Sequence, residues 1–264
     1  MLDEIPSDVL LVVCQYIPLI YRISMSETCK CIYKKIGDEN KSNIKANIIK
    51  KLRDLVPDPV LFLEKIIEAD CVISGGFILE CLYEEDWKSN DIDIWCSENK
   101  GYYITNDTGV MQNPYLFIPP LVEDVTIDKN SHLFLKYLHS QGLTTLSGQK
   151  YDPESLTAVN IRNINISGSE FKIPMQYISC GRYHLSHIDK SFDMDICKVA
   201  YGSKYDRLFI KNKQAIYEKK CKYSRDINND IFLLSYYGPN TQRYHDLINH
   251  RINKYKDRGF DIVK

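Results

Sequence analysis

The chain has 264 residues with 34 Lys+Arg against 35 Asp+Glu, a formal net charge of -1, which excludes a uniformly basic nucleic-acid coat. With 44% hydrophobic and 26% charged residues it has the composition of an ordinary globular protein, long enough for one large domain or two small ones. No uninterrupted apolar run approaches the ~18–20 residues of a membrane-spanning helix. The acidic start Met1-Leu2-Asp3-Glu4 also lacks the basic opening of a secretory signal, so a cytoplasmic protein without a membrane partner is expected. The nine cysteines are odd in number and scattered through apolar stretches, which reads as reduced core residues rather than a disulfide framework.

In chain order, Ile5-Pro6-Ser7 opens a helix whose Val9, Leu10, Val13 and Ile17 fall at helical spacing, and Pro18 ends it. A second helix is predicted over 26–36, and the polar stretch 37–43 is predicted as a linker. Helical periodicity returns over 44–55 and 59–69. The character then changes: Cys71-Val72-Ile73-Ser74 reads as a short strand, Gly75-Gly76 as a turn, 77–83 as a helix and 91–95 as a strictly alternating strand. Residues 97–150 are weakly patterned, with a break at Pro119-Pro120 and a helix over 131–139. Strands are predicted around 158–166, 171–178 and 192–199. The end is predicted helical, in part over 205–223 and then over 241–257, with Tyr244, Leu247, Ile248, Ile252 and Tyr255 on one face and Gly259 as the stop.

This order predicts an α+β protein: a small helical module at 1–43, a mixed-sheet core at 44–202 and a basic helical region at 203–264 packed on it. The near-zero charge is a cancellation. Residues 203–264 hold 14 Lys+Arg against 7 Asp+Glu, leaving the rest acidic. Such a tail is either a solvated helix face or the side on which an anionic substrate approaches.

The chemistry gathers around strand, Gly75-Gly76, helix, Asp91-Ile92-Asp93. In a strand the side-chain period is two, so Asp91 and Asp93 share one face while Ile92 and Ile94 take the other. Like charges held that close call for a proton or a cation, and hard oxygen ligands suit Mg²⁺ with substrate phosphates. Glycines at 75 and 76 let a phosphate chain approach the backbone, and the helix behind them offers N–H groups.

These residues resemble the nucleotidyltransferase-fold superfamily, in Val72-Ile73-Ser74-Gly75-Gly76-Phe77 and Ser89-Asn90-Asp91-Ile92-Asp93-Ile94-Trp95. The resemblance implies catalytic metals (Mg²⁺ or Mn²⁺) on Asp91 and Asp93, a nucleoside triphosphate on Gly75 and Gly76, and a third carboxylate from a later strand. Asp193 is the first choice for that carboxylate and for a metal ligand, with Asp195 beside it as a further ligand. The strand Ile173-Pro174-Met175-Gln176-Tyr177-Ile178 is the other place for it, and there the chain carries Gln176. More of the chain, including the closing Lys254-Tyr255-Lys256-Asp257-Arg258-Gly259-Phe260, resembles poorly characterised members of that superfamily from large (giant) DNA viruses. The opening text, from Leu2-Asp3-Glu4-Ile5-Pro6 to Cys29-Lys30, resembles an F-box, which implies docking on a Skp-type adaptor through Ile5, Pro6, Val9 and Leu10.

Two functions follow as expectations. The first is metal-dependent transfer of a nucleotide to an RNA or protein acceptor. The second is an F-box adaptor of a ubiquitin ligase whose transferase-like domain only binds.

Overall fold

The computed structural model describes residues 5–28, 30–89, 91–97, 134, 137–138, 140–141, 149–151, 159–164, 175–180, 184–203, 206–223 and 241–263. Four helices come first: α1 (Ser7–Cys14), α2 (Leu19–Thr28), α3 (Lys30–Leu52) and α4 (Pro59–Glu68). The helix expected at 26–36 is thus divided between α2 and α3, and the linker expected at 37–43 is the interior of α3. The reason is a buried stripe at every fourth residue, Ile32, Ile36, Asn40, Ile44, Ile48 and Leu52, which runs straight through the polar stretch. Its one polar member is satisfied, since Asn40 Nδ2 donates to the Arg22 carbonyl at 3.2 Å. The stripe serves two cores. Ile32 and Ile36 close a small cluster with Leu10 and Cys14. Ile44, Ile48 and Leu52 join Leu19 and Ile20 of α2 in the main core. Helix α4 starts where local chemistry says it should: Asp58 accepts from the Leu61 N–H at 2.9 Å and Pro59 stands at the first helical position.

A seven-stranded sheet follows, built from β1 (Cys71–Ser74), β2 (Ile92–Ser97), β3 (Gln149–Tyr151), β4 (Val159–Ile164), β5 (Met175–Cys180), β6 (Val199–Gly202) and β7 (Arg207–Ile210). Its order is β3-β4-β5-β2-β1-β6-β7. The β2–β5 pairing is parallel and the other described pairings in this sheet are antiparallel, so the architecture is mixed α+β as expected. Helix α5 (Gly76–Tyr83) joins β1 to β2, and α6 (His184–Ser191) follows β5. Beyond β7 come α7 (Lys213–Tyr217), β8 (Lys220–Lys222), α8 (Thr241–Asp257) and β9 (Asp261–Val263), with β8 and β9 paired in parallel.

The two sheet faces follow the period of two. Cys71, Ile73, Ile92, Ile94, Cys96, Tyr177 and Tyr201 enter the main core with α2 to α5. Val72, Trp95, Ile178 and Ala200 meet Ile188 of α6 in a second cluster. Asp93 shares the parity of Trp95 and therefore belongs to that second face. The described cysteines carry no disulfide, and six of the seven are buried, in line with the reduced-core reading.

One further expectation is corrected. Residues 192–198 are not a strand: Met194 makes an isolated bridge to Tyr223, Asp195–Cys197 is a 3-10 turn, and β6 starts only at Val199. Asp195 is what holds that turn, accepting from the Asn212 side chain at 2.7 Å and from the Lys222 N–H at 2.8 Å. The part-helical reading of 205–223 is met by α7, and among the described residues Arg207–Ile210 instead forms a ladder with β6. On α8, Ile248 and Tyr255 are buried and Ile252 partly so, but Leu247 is exposed, and the Tyr244 side chain lies outside the described residues. So do Pro119-Pro120; Phe134, Tyr137 and Leu138, inside the helix expected over 131–139, are helical.

Candidate functional site

The sheet centre supplies the site. Where β1 ends, Ser74 Oγ donates to the Val199 carbonyl at 2.6 Å and the Gly75 N–H donates to the same oxygen at 3.2 Å, tying the turn to β6. Gly75 then takes φ 79°, ψ -147°, a conformation essentially reserved for glycine. Helix α5 starts directly behind it with no side-chain cap, so the N–H groups of its first turn are presented at the glycine turn.

Asp93 lies against this turn. A Cβ built on Gly75 would stand 3.1 Å from Asp93 Oδ2 and 3.4 Å from the Phe192 ring. In the ladder Asp93 is paired with Ser74 on one side and Gln176 on the other. The strand expected as an alternative source of a third acid therefore brings a neutral amide to the register position beside Asp93. Burial pushes the pKa of Asp93 up to about 7; the Asp91 charge adds to the rise, and Arg251 and Lys254 oppose it. The four residues thus sit in one electrostatic neighbourhood.

The cations come from α8. Arg251 and Lys254 are spaced i, i+3 on α8, and Arg258 follows directly after its last residue, at i+7. Arg251 Nη1 binds Asp193 Oδ2 at 2.7 Å, and Asp193 is buried. Lys254 has its pKa lowered by burial and by the Arg258 charge, with Asp91 pulling the other way. Between them the Tyr255 hydroxyl accepts from the Cys197 thiol at 2.9 Å. Burial pushes that thiol up to about 12, so Cys197 is a protonated donor and not a nucleophile.

Helix α8 is held over α5 by its own terminus. Gly259 (φ 82°) and the Phe260 N–H bonded to the Tyr255 carbonyl at 3.0 Å close a left-handed cap, the reading made of Arg258-Gly259-Phe260 from the sequence. Phe260 then packs edge-on against Tyr83 of α5 at 5.5 Å between ring centres and against Trp87 at 5.8 Å. The segment entering β2 is fastened too: buried Glu80 accepts from Ser89 N–H at 2.9 Å and Ser89 Oγ at 2.6 Å, and pairs with Lys51 at 2.9 Å.

Of the expected residues, the structure brings Asp91, Asp93, Gly75 and Gly76 together. Asp193 is linked to them through Arg251. Asp195 is engaged by Asn212 on one oxygen and by the Lys222 N–H on the other. Among the described residues no three His, Cys, Asp or Glu side chains gather as a metal cluster. The paired carboxylates nevertheless suit Mg²⁺ in donor chemistry, since that ion takes one or two protein carboxylates and completes its shell with water and phosphate. The residues of α8 are what sequence reasoning missed. Their basic i, i+3, i+7 spacing was the available signal.

The residues expected to touch an adaptor divide. Leu10 is buried and Ile5 packs on its cluster, while Pro6 and Val9 are exposed. Val9, Val12, Val13 and Tyr16 form an exposed apolar stripe on and just beyond α1.

A mixed sheet with a strand, glycine turn and helix facing an Asp-x-Asp strand defines an α+β protein with an acidic, phosphate-compatible centre. More particularly, the chain belongs to the Gabija anti-defense 2 (Gad2) family, whose family model matches residues 40–217. No curated protein matches it. Among solved structures it is similar to a CCA-adding enzyme in complex with CTP, at 17% identity and a TM-score of 0.41, over 82% of this chain and 42% of that one. It is likewise similar to the Thermotoga maritima CCA-adding enzyme complexed with tRNA, at 16% identity and a TM-score of 0.42, over 82% and 42%. The chain thus spans about two fifths of the length of these structures. Among the described residues no helix is long and apolar enough to cross a membrane.

Proposed function

We propose that the protein transfers a nucleotide from a nucleoside triphosphate to an acceptor, using a divalent cation, Mg²⁺ or Mn²⁺, held by Asp91 and Asp93. One observation carries the reading: the carboxylate pair lies on the strand face beside a glycine turn that opens α5, with Asp93 Oδ2 at 3.1 Å from the Gly75 Cβ position. The turn would receive phosphate oxygens on backbone N–H groups, and the cationic face of α8 would offset their charge. The cation, when bound, supplies charge stabilisation on the phosphoryl oxygens. Gln176 and Ser74 flank Asp93 and hold its strand position, and Phe192 shields the turn from water. The family's name points to an acceptor among the components of Gabija defence, with RNA or protein as the chemical class.

The test is incubation of the full chain with each labelled nucleoside triphosphate and candidate acceptors. Label transfer is expected, and Asp91→Asn or Asp93→Asn is expected to lower its rate by at least about 100-fold. Transfer that survives both substitutions would overturn the mechanism.

A second reading is favoured by Gln176 beside Asp93 and by the apolar stripe on α1: a binding protein whose transferase-like centre holds nucleotide without turnover. Its N-terminal helix would dock a partner, and the F-box-like text names a Skp-type adaptor as one to try. This segment precedes the residues matched by the family model. The reading predicts nucleotide binding without label transfer, and partner capture lost on Val9→Asp and Val13→Asp together.

A further inference from the structure

We infer that Arg258, with the Tyr255 hydroxyl beside it, is a phosphate-binding residue that completes the Gly75-Gly76 turn from the opposite side. The ligand class, a polyphosphate chain, rests on the nucleotidyl-transfer reading. The geometry stands apart from it.

Arg258 is 8% exposed, and its Nη1 has no hydrogen-bond partner. A buried guanidinium nitrogen left without an acceptor is costly, so the position calls for an anion or another acceptor. The remaining contacts hold the group without using that nitrogen. The guanidinium lies over Trp87 at 5.1 Å and over Tyr255 at 5.2 Å, and Nη2 reaches the Trp87 carbonyl at 3.4 Å. Nη1 is aimed at the turn: a Cβ built on Gly76 would stand 3.7 Å from it and 3.3 Å from the Tyr255 hydroxyl oxygen. That oxygen accepts from Cys197, which leaves its own proton to donate onward.

Three kinds of donor therefore meet beside Gly76: the first-turn N–H groups of α5, a guanidinium held over two rings and a phenol. All are donors, which is the pattern that recognises phosphate oxygens. The two aromatic rings and the Trp87 carbonyl hold the guanidinium in place in advance, so little side-chain entropy is lost when an anion arrives.

Isothermal titration of the full chain with inorganic tripolyphosphate, in chelator and without divalent cation, tests the inference. The wild-type chain is expected to bind, and Arg258→Gln to weaken binding by about tenfold or more, the scale of one charge-assisted hydrogen bond. Arg258→Lys is expected to recover part of the loss. Where Arg258→Gln lowers the melting temperature enough to obscure the result, Gly76→Ala replaces it, since its methyl group enters the same space. Unchanged tripolyphosphate affinity in a folded Arg258→Gln or Gly76→Ala chain, or no binding by the wild type, overturns the inference. Tripolyphosphate binding that depends on Arg258 without any label transfer from nucleoside triphosphates would sink the transfer reading alone. Transfer that is indifferent to Arg258 would sink this inference alone.

Discussion

Asp93 keeps its proton up to a pH of about 7 because it is partly buried and sits beside Asp91. The unfolded chain releases that proton near pH 4. Between those values the native chain binds more protons at this site, so the contribution of Asp93 to stability is full below about pH 4 and is lost as pH rises through the folded pKa. Asp93→Asn removes the ionisation. In chelator it is expected to stabilise the protein at pH 8, by about 2 kcal/mol once solvent screening is allowed for, and to bring no gain at pH 4. Urea unfolding at the two pH values checks this; an equal gain at both would show a packing effect instead. Glu80 is a buried side chain whose partners are already in place. Glu80→Ala leaves Ser89 without its acceptor and Lys51 with only the exposed Asp86, and is expected to destabilise by about 3 kcal/mol, read as a lower urea midpoint. Glu80→Gln, which still accepts from Ser89, is expected to lose less. Asp91 and Asp93 were legible in the sequence because strand alternation alone puts them on one face. The partners of Asp193 and Asp195 were not: residues two apart face the same way only on a strand, and here a 3-10 turn sends one to Arg251 and the other to Asn212.

Helix α8 owes its place to its C-terminal end. Phe260 is 3% exposed and touches rings of α5, α8 and the segment between α5 and β2. Phe260→Ala is expected to cost about 3–4 kcal/mol of stability in thermal or urea unfolding. It should also weaken tripolyphosphate binding, because Arg258 stands two residues earlier on the same cap. Helix α4 offers a simpler case: Asp58→Ala removes its N-cap and is expected to cost about 1 kcal/mol, with Asp58→Asn close to neutral. Cap and turn chemistry is local, which is why α4, β1, α5 and α8 could be placed from the chain text. The extent of α3 could not, since a polar run such as 37–43 reads as a linker until the every-fourth-residue stripe finds a surface to cover.

At the scale of the molecule, ion pairs among the described residues link the acidic part to the basic one. Lys45 pairs with Asp206, Lys211 with Asp189, and Lys213 with Glu27. Each exposed pair contributes about 0–1 kcal/mol, so they orient more than they stabilise. Burial across the N-terminal helices matters more. Leu19 and Ile20 of α2 are fully buried in the main core, and α3 runs without interruption through residue 43. A chain starting at residue 44 is therefore expected to lose cooperative unfolding or melt well below the intact protein, by calorimetry. Retention of the full melting temperature would show that residues 1–43 fold as a separate module.

The sequence by itself determined the class of the fold, the glycine turn and the paired aspartates. Each is written in short-range terms: a period of two, a period of 3.6, a residue without a Cβ. Only the tertiary structure decided that Asp193 pairs with Arg251, that Gln176 lies beside Asp93, and that Arg258, just past α8, stands beside the turn. Those contacts join residues more than 50 positions apart in the chain. No local periodicity records a pairing that is made when a sheet and a terminal helix close on one another.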